Sequence, residues 1–261
     1  ARGGRQVLHA AISEDEGKTW RGHREVLRDS LRAKPAPMGE HGMGYPFPTA
    51  TRDGNILVSA GLGPAGVTLA LFNPSWLYET SQKDDFPEGL ENWSSFGTKG
   101  VSVVPHPRKR NAKVLQIRKP EAIWSTATVR NFPLGKKGRL RLRFSRLPGA
   151  KGILIALTDH FSPPFDQEDH LYSQYNLAID EDGKLGGRTR LQSDRSYNLT
   201  LEWDDKRRRC TVRLDKKEVT VLPLRKETLG ANYLRIRSTA EDIDEAEILI
   251  ESVEIDVSKA W

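Results

Sequence analysis

Apolar and polar residues alternate along Arg139-Leu140-Arg141-Leu142-Arg143-Phe144, so Leu140, Leu142 and Phe144 share one side of an extended chain and the arginines the other. A period of two is that of a half-buried antiparallel strand. Comparable runs recur at 152–158, 175–180, 197–203, 210–214, 219–222, 233–238 and 248–257, with turn signals such as Asp182-Gly183 and Asp215-Lys216-Lys217 between them. Short strands at this spacing predict a sandwich. Earlier in the chain, Gln6–Ile12 and Asn55–Ser59 read as strands, the latter following the hairpin signal Asp53-Gly54. Gly66–Phe72 is apolar almost throughout and reads as a buried strand. The polar, acidic segment 79–92 reads as a connector, and Ala240–Glu247 as a helical turn. The expected class is therefore all-β.

Composition narrows the reading. Hydrophobic residues make up 37% of the 261, and no stretch is apolar for long enough to span a bilayer. Cys210 is the single cysteine, which excludes an intrachain disulfide, and its strand-like surroundings suit a small buried hydrophobe. Net charge is +6 and uneven: residues 1–90 carry 10 Lys/Arg against 11 Asp/Glu, and the remainder carries 31 against 24. A basic second part suits an acidic glycan or surface; no nucleic-acid motif accompanies it. The chain opens inside a strand-like run without a leader pattern, so an upstream portion is expected.

The most specific motif is Ser13-Glu14-Asp15-Glu16-Gly17-Lys18-Thr19-Trp20. Ser13 and Asp15 can accept from nearby backbone N–H groups, Gly17 admits a left-handed backbone, Thr19 continues the pattern, and Trp20 supplies an apolar plate to pack between strands. Its chemistry is that of a turn. The motif resembles the Asp-box, or BNR repeat, of sialidases and related β-propellers. The following Gly44-Tyr45-Pro46-Phe47-Pro48-Thr49, with its Asp53-Gly54 turn and apolar strand, is similar to the opening of a late blade in that family. The resemblance implies that residues 1–78 are the last one to two blades of a propeller. It also implies that Tyr45 is a candidate nucleophile, the tyrosine that sialidases use in place of a carboxylate. Arg2, Arg5 and His41 would then be candidate substrate-binding residues, and the acid/base pair would lie upstream. The alternative for Tyr45 is an aromatic rim residue.

Residues 93–261 resemble a jelly-roll, concanavalin- or laminin-G-like antiparallel β-sandwich, on Trp76-Leu77, Asn92–Gly100, Leu157–Phe161 and Gly230–Arg235. Arg139, Arg141, Arg143, Arg213, Arg235 and Arg237 could form a basic face for an anionic glycan, or an ordinary solvated sheet face. Loop 159–170 is rich in Asp, Glu and His, but it lacks EF-hand or other ligand spacing and reads as a non-metal loop, with Ca²⁺ the lesser alternative; no cofactor or metal is expected. The resemblance implies the C-terminal part of a secreted, periplasmic or cell-surface bacterial glycoside hydrolase, exo-acting on terminal acidic sugars and inactive as this fragment. The alternative is a non-catalytic carbohydrate-binding or adhesion protein. Nothing in the pattern fixes an oligomeric state.

Overall fold

In the computed structural model, residues 6–28, 42–61, 66–95 and 99–258 are described. They form two compact units, one over the first 80 residues and one over Ser81–Ala260. Both are built from antiparallel sheets, and the chain is all-β.

The first unit contains β1 (Val7–Ile12), β2 (Arg21–Arg28), β3 (Phe47–Ala50), β4 (Ile56–Gly61) and β5 (Val67–Phe72), followed by a 3₁₀ turn at Pro74–Tyr78. β1 pairs with β2, and β3-β4-β5 form a separate meander. Asn73 caps the 3₁₀ turn, its side chain accepting from Ser75 N at 2.9 Å, and Pro74 follows at the position where a missing N–H costs nothing. The buried cluster is small: Leu27, Met43, Val58 and Ala60, with Leu8, Val26, Ala70 and Phe72 packed against it. β5 is not the buried strand its apolar sequence suggests. Val67, Leu69 and Leu71 point outward, Val67 being 73% exposed, while only the alternate residues face inward.

The second unit runs β6 (Ser81–Asp84), β7 (Val101–Pro105), β8 (Lys113–Lys119), β9 (Ala127–Gly135), β10 (Lys137–Arg146), β11 (Ile153–Thr158), β12 (Tyr175–Ile179), β13 (Lys184–Leu185) and β14 (Thr189–Arg190). It continues through β15 (Ser196–Asp204), β16 (Arg209–Leu214), β17 (Lys217–Pro223), β18 (Ala231–Ser238) and β19 (Asp244–Val257). The larger sheet has the order β17-β16-β15-β10-β19-β8-β7, with β6 also on β19; the smaller is β14-β13-β12-β11-β18-β9. Leu140, Leu142 and Phe144 of β10 share one continuous core with Ile153, Ile155 and Leu157 of β11 and Leu234 and Ile236 of β18. The two sheets are therefore the layers of a sandwich.

Two expectations change here. Segment 79–92 is not only a connector. Ser81–Asp84 pairs with β19, and Phe86 is fully buried. Asp84 explains the acidic character: it accepts from Phe86 N at 2.8 Å and Trp93 Nε1 at 3.0 Å, and it pairs with buried Arg130, whose guanidinium also lies 5.5 Å from the Trp93 ring. Residues 240–247 hold no helical turn. β19 begins at Asp244, and a register shift between Asp244 and Ile248 on β8 carries the irregularity.

Candidate functional site

The Ser13–Trp20 segment closes the β1–β2 hairpin. Ser13 Oγ accepts from Gly17 N at 2.7 Å. Asp15 accepts from Thr19 N at 2.8 Å through one oxygen and from Thr19 Oγ1 at 2.6 Å through the other. These Thr19 bonds hold the Asp15 carboxyl below the usual carboxylate range. Glu16 and Gly17 are both left-handed, at φ 60° and 84°. Trp20 departs from expectation. Its ring is 65% exposed instead of packed between strands, because its Nε1 donates to Gly17 O at 3.1 Å and holds the indole across the turn. Glu14 links the turn onward, accepting from Tyr78 Oη at 2.8 Å and pairing with Arg21 at 3.1 Å. Nearby, buried Arg24 lies 3.7 Å from the Trp76 ring and donates to Trp76 O and to Glu79 at 3.0 Å.

Tyr45 lies two residues before the Phe47–Ala50 strand, with Pro46 between. It is 66% exposed and left-handed at φ 50°, a conformation uncommon outside glycine and one that clusters at functional sites. Its neighbour Pro46 lines a groove of about 440 Å³ with Ile12, Trp20, Ile56, Phe72 and Leu77. Among the described residues, that groove is lined by no Lys, Arg, Asp or Glu. Arg2, Arg5 and His41 lie outside the described residues, so their placement beside Tyr45 has no geometry to report.

The six arginines do not form one face. Arg139, Arg141, Arg143 and Arg213 stand on the outer side of the larger sheet, each answered by carboxylates of neighbouring strands. Arg139 pairs with Glu202 at 2.8 Å, Arg141 with Glu254 and Asp256 at 3.2 and 3.1 Å, and Arg143 with Glu251 at 3.0 Å; Arg213 also bonds Glu202. Arg235 and Arg237 belong to the smaller sheet. The long segment after β11 folds over its outer side, burying Arg235, whose Nε is 3.2 Å from Asp169. Asp169, one of the loop's carboxylates, is thereby taken up by this guanidinium. Asp159 instead pairs with His160 at 2.7 Å, and among the described residues no group of three His, Cys, Asp or Glu side chains is placed to hold a metal ion. Cys210 is buried, and burial pushes its thiol up to about 12.

No family model matches the chain, and no curated protein does. Among solved structures, a sialidase superposes with a TM-score of 0.55 at 15% identity, covering 83% of this chain and 23% of the sialidase. A Trypanosoma rangeli sialidase in complex with 2,3-difluorosialic acid superposes at 0.43 and 10% identity over 98% of this chain and 47% of its own. The exoplasmic/lumenal domain of VIP36, bound to Ca²⁺ and Man3GlcNAc, does so at 0.46 and 14% over 70% of this chain and 92% of its own. Only the first bears on the fold, and the chain spans about a quarter of that sialidase's length. Among the described residues no helix is long and apolar enough to cross a membrane.

Missed from the sequence was a cleft lined by Ile123, Ser125, Gln167, Arg237 and Glu241, from segments far apart in the chain. Its one advance signal was Ile123, a large apolar residue in the loop after Pro120.

Proposed function

We propose that the chain is the glycan-directed C-terminal part of an exported, sialidase-like glycoside hydrolase, with the Asp-box hairpin and the β3-β4-β5 meander belonging to its propeller. One observation carries this reading. The superposition on a sialidase covers 83% of the chain, whereas the sandwich unit is 180 of the 261 residues, about 69%. The likeness therefore extends into both units. In this reading Tyr45 is the nucleophile, Arg2, Arg5 and His41 are candidates to bind substrate, and the acid/base pair lies outside these residues.

The test is release of fluorophore from a sialoside. The 261-residue chain alone is expected to give none, and a longer protein containing it to lose roughly two orders of magnitude or more on Tyr45→Phe. An unchanged rate in that variant removes the nucleophile assignment; turnover by the 261 residues alone removes the claim that their catalytic set is incomplete. The groove beside Tyr45, with no Lys, Arg, Asp or Glu among its described lining, favours a second reading: a non-catalytic glycan-binding protein. Turnover by the longer protein would exclude it.

A further inference from the structure

β6 and β8 both pair with β19, β6 from Val253 onward and β8 up to Ile250, so Glu251 and Ser252 lie in the seam between them. The register on β10 shifts at the same place. Arg143 faces Ser252 and Phe144 faces Ile250, which leaves Glu251 as the extra residue of a β-bulge. Bulges re-aim a side chain and are common beside functional sites. The Glu251 carboxylate is nearly buried and gathers donors around it. Lys109 donates to Oε2, Arg143 Nε lies 3.0 Å from the same oxygen and His106 Nε2 3.4 Å from it, and Ser196 Oγ donates to Oε1 at 2.5 Å. These donors exceed what one carboxylate takes up. Arg143 Nε is shared between Glu251 and Ser196 Oγ, at 3.2 Å, and the two terminal nitrogens of its guanidinium bond no described residue. His106 Nδ1 accepts from Arg108 N at 3.0 Å, which puts the ring proton on Nε2; that nitrogen is buried without a hydrogen-bond partner.

A cleft of about 410 Å³ opens on this seam, and its lining includes Asp85, His106, Lys109, Lys113, Arg143 and Glu251. Lys113 adds a further cation. Its Nζ donates to Pro87 O at 2.9 Å and meets no carboxylate among the described residues. Lys83, also in the lining, leans away on Glu254 at 3.7 Å. Lys109, Lys113 and Arg143 therefore have the single carboxylate of Glu251 among them, while exposed Asp85 pairs with none of the described cations. Elsewhere on the outer side of this sheet the balance is the reverse: Arg141 alone meets two carboxylates.

We propose that this cleft binds the oxyanion of an acidic sugar, a sulfate ester or a carboxylate, on the terminal nitrogens of Arg143 and the ammonium groups of Lys109 and Lys113. A guanidinium held at Nε keeps its terminal N–H groups in a fixed fork, and such a fork matches two oxygens of a sulfate or carboxylate. Holding it in place beforehand lowers the ordering cost of binding. The lining contains no aromatic residue, and Pro87 and Ala112 are its only apolar members. Recognition is therefore by charge and hydrogen bonds, which select the anionic group and not the sugar ring. The volume suits a small ligand. That the oxyanion belongs to a sugar rests on the carbohydrate reading above; the cleft and its surplus of cationic donors do not.

Calorimetric titration of the 261-residue chain at low salt with galactose 6-sulfate, glucuronate, galactose and inorganic phosphate tests it. Saturable millimolar binding of at least one acidic sugar is expected, with none of galactose, and the affinity should fall as salt is added. Arg143→Gln and Lys113→Gln should each weaken it roughly fivefold or more with Tm unchanged. Asp85→Asn should strengthen it, by removing a like charge, and Arg141→Ala should leave it intact. No saturable binding of either acidic sugar, equal binding of galactose, full affinity in both folded Arg143→Gln and folded Lys113→Gln, or an equal loss in Arg141→Ala would each overturn the proposal. Binding of phosphate alone would overturn it too, by removing the sugar, and would leave the Tyr45 reading to its own sialoside test.

Discussion

Both units are antiparallel, but the sandwich buries the apolar face of β10, whereas β5 of the first unit leaves one apolar face in solvent. In the sandwich, the inward residues of β10 meet those of β11 and β18 in one core. In the first unit, Val67, Leu69 and Leu71, one side of the nearly all-apolar β5, remain in solvent, as do Trp20 and Phe47. Alternation decides which side chains share a face. Whether that face is buried depends on a second layer, which is a property of the tertiary fold. An exposed apolar face of this kind is also the informative departure from ordinary surface composition.

The sharpest way to break this contrast is to truncate one apolar residue in each unit. Trp203 is 1% exposed, its Nε1 donates to Gly135 O at 2.9 Å, and its ring lies against Gly138, where even an added Cβ would sit 2.3 Å from it. Trp203→Ala should cost about 3–5 kcal/mol in urea unfolding, from lost transfer energy and the cavity left behind. Leu69→Ala should cost less than about 0.5 kcal/mol, since the side chain is already in water. A Leu69→Ala loss matching that of Trp203→Ala would mean that β5 is covered in solution and would end the comparison.

Much of the sandwich was legible because its signal is local. Arg139–Phe144 shows its period within six residues, and the strand and its inward face follow. What stayed hidden is non-local. Phe86 sits among Asp84, Asp85 and Glu88, so a run read for polarity looks like a connector, yet its ring is buried by strands far away in sequence. Arg235 alternates as if outward and is outward from its sheet, but a loop some 70 residues upstream closes over it. The cleft lined by Ile123, Gln167 and Glu241 is assembled from three such distant segments, and no spacing rule reaches that far. For Tyr45 the residue type and its motif were visible, while its left-handed backbone was not.

Acid should separate the units next. His9 of β1 and His23 of β2 stack with ring centroids 4.5 Å apart. Burial, and then the neighbouring His23, lower His9 from 6.5 to about 4; burial also lowers His23. A depressed histidine binds fewer protons folded than unfolded. Its contribution is therefore complete above pH 6.5 and is lost as pH falls towards 4, on the order of 2 kcal/mol for the first unit. In the sandwich, burial would raise Glu251, but bonds from Lys109 and Ser196 and the nearby Arg143 outweigh it and leave it at about 2. That contribution is present above pH 4.5 and is lost only between 4.5 and 2. Proteolysis or hydrogen exchange across pH 7 to 3 should show the β1–β2 hairpin loosening before the β10–β19 pairing. The reverse order would contradict both assignments.

The smallest effect is expected on the outer side of the larger sheet, where the contrast with β5 is one of chemistry. Arg141 sits between Glu254 and Asp256, partly exposed, and neighbouring arginines are matched in the same way. Exposed pairs of this kind gain little, because water screens the attraction and two long side chains must be ordered. Arg141→Ala should therefore change stability by about 0.5 kcal/mol or less. It should also leave retention on an immobilised polyanion unchanged, because the carboxylates on β15 and β19 already offset the cations. A large, salt-dependent drop in retention would show instead that the arginines outcompete their carboxylates for a polyanion. The face would then be a ligand surface and not the solvated counterpart to the apolar one on β5.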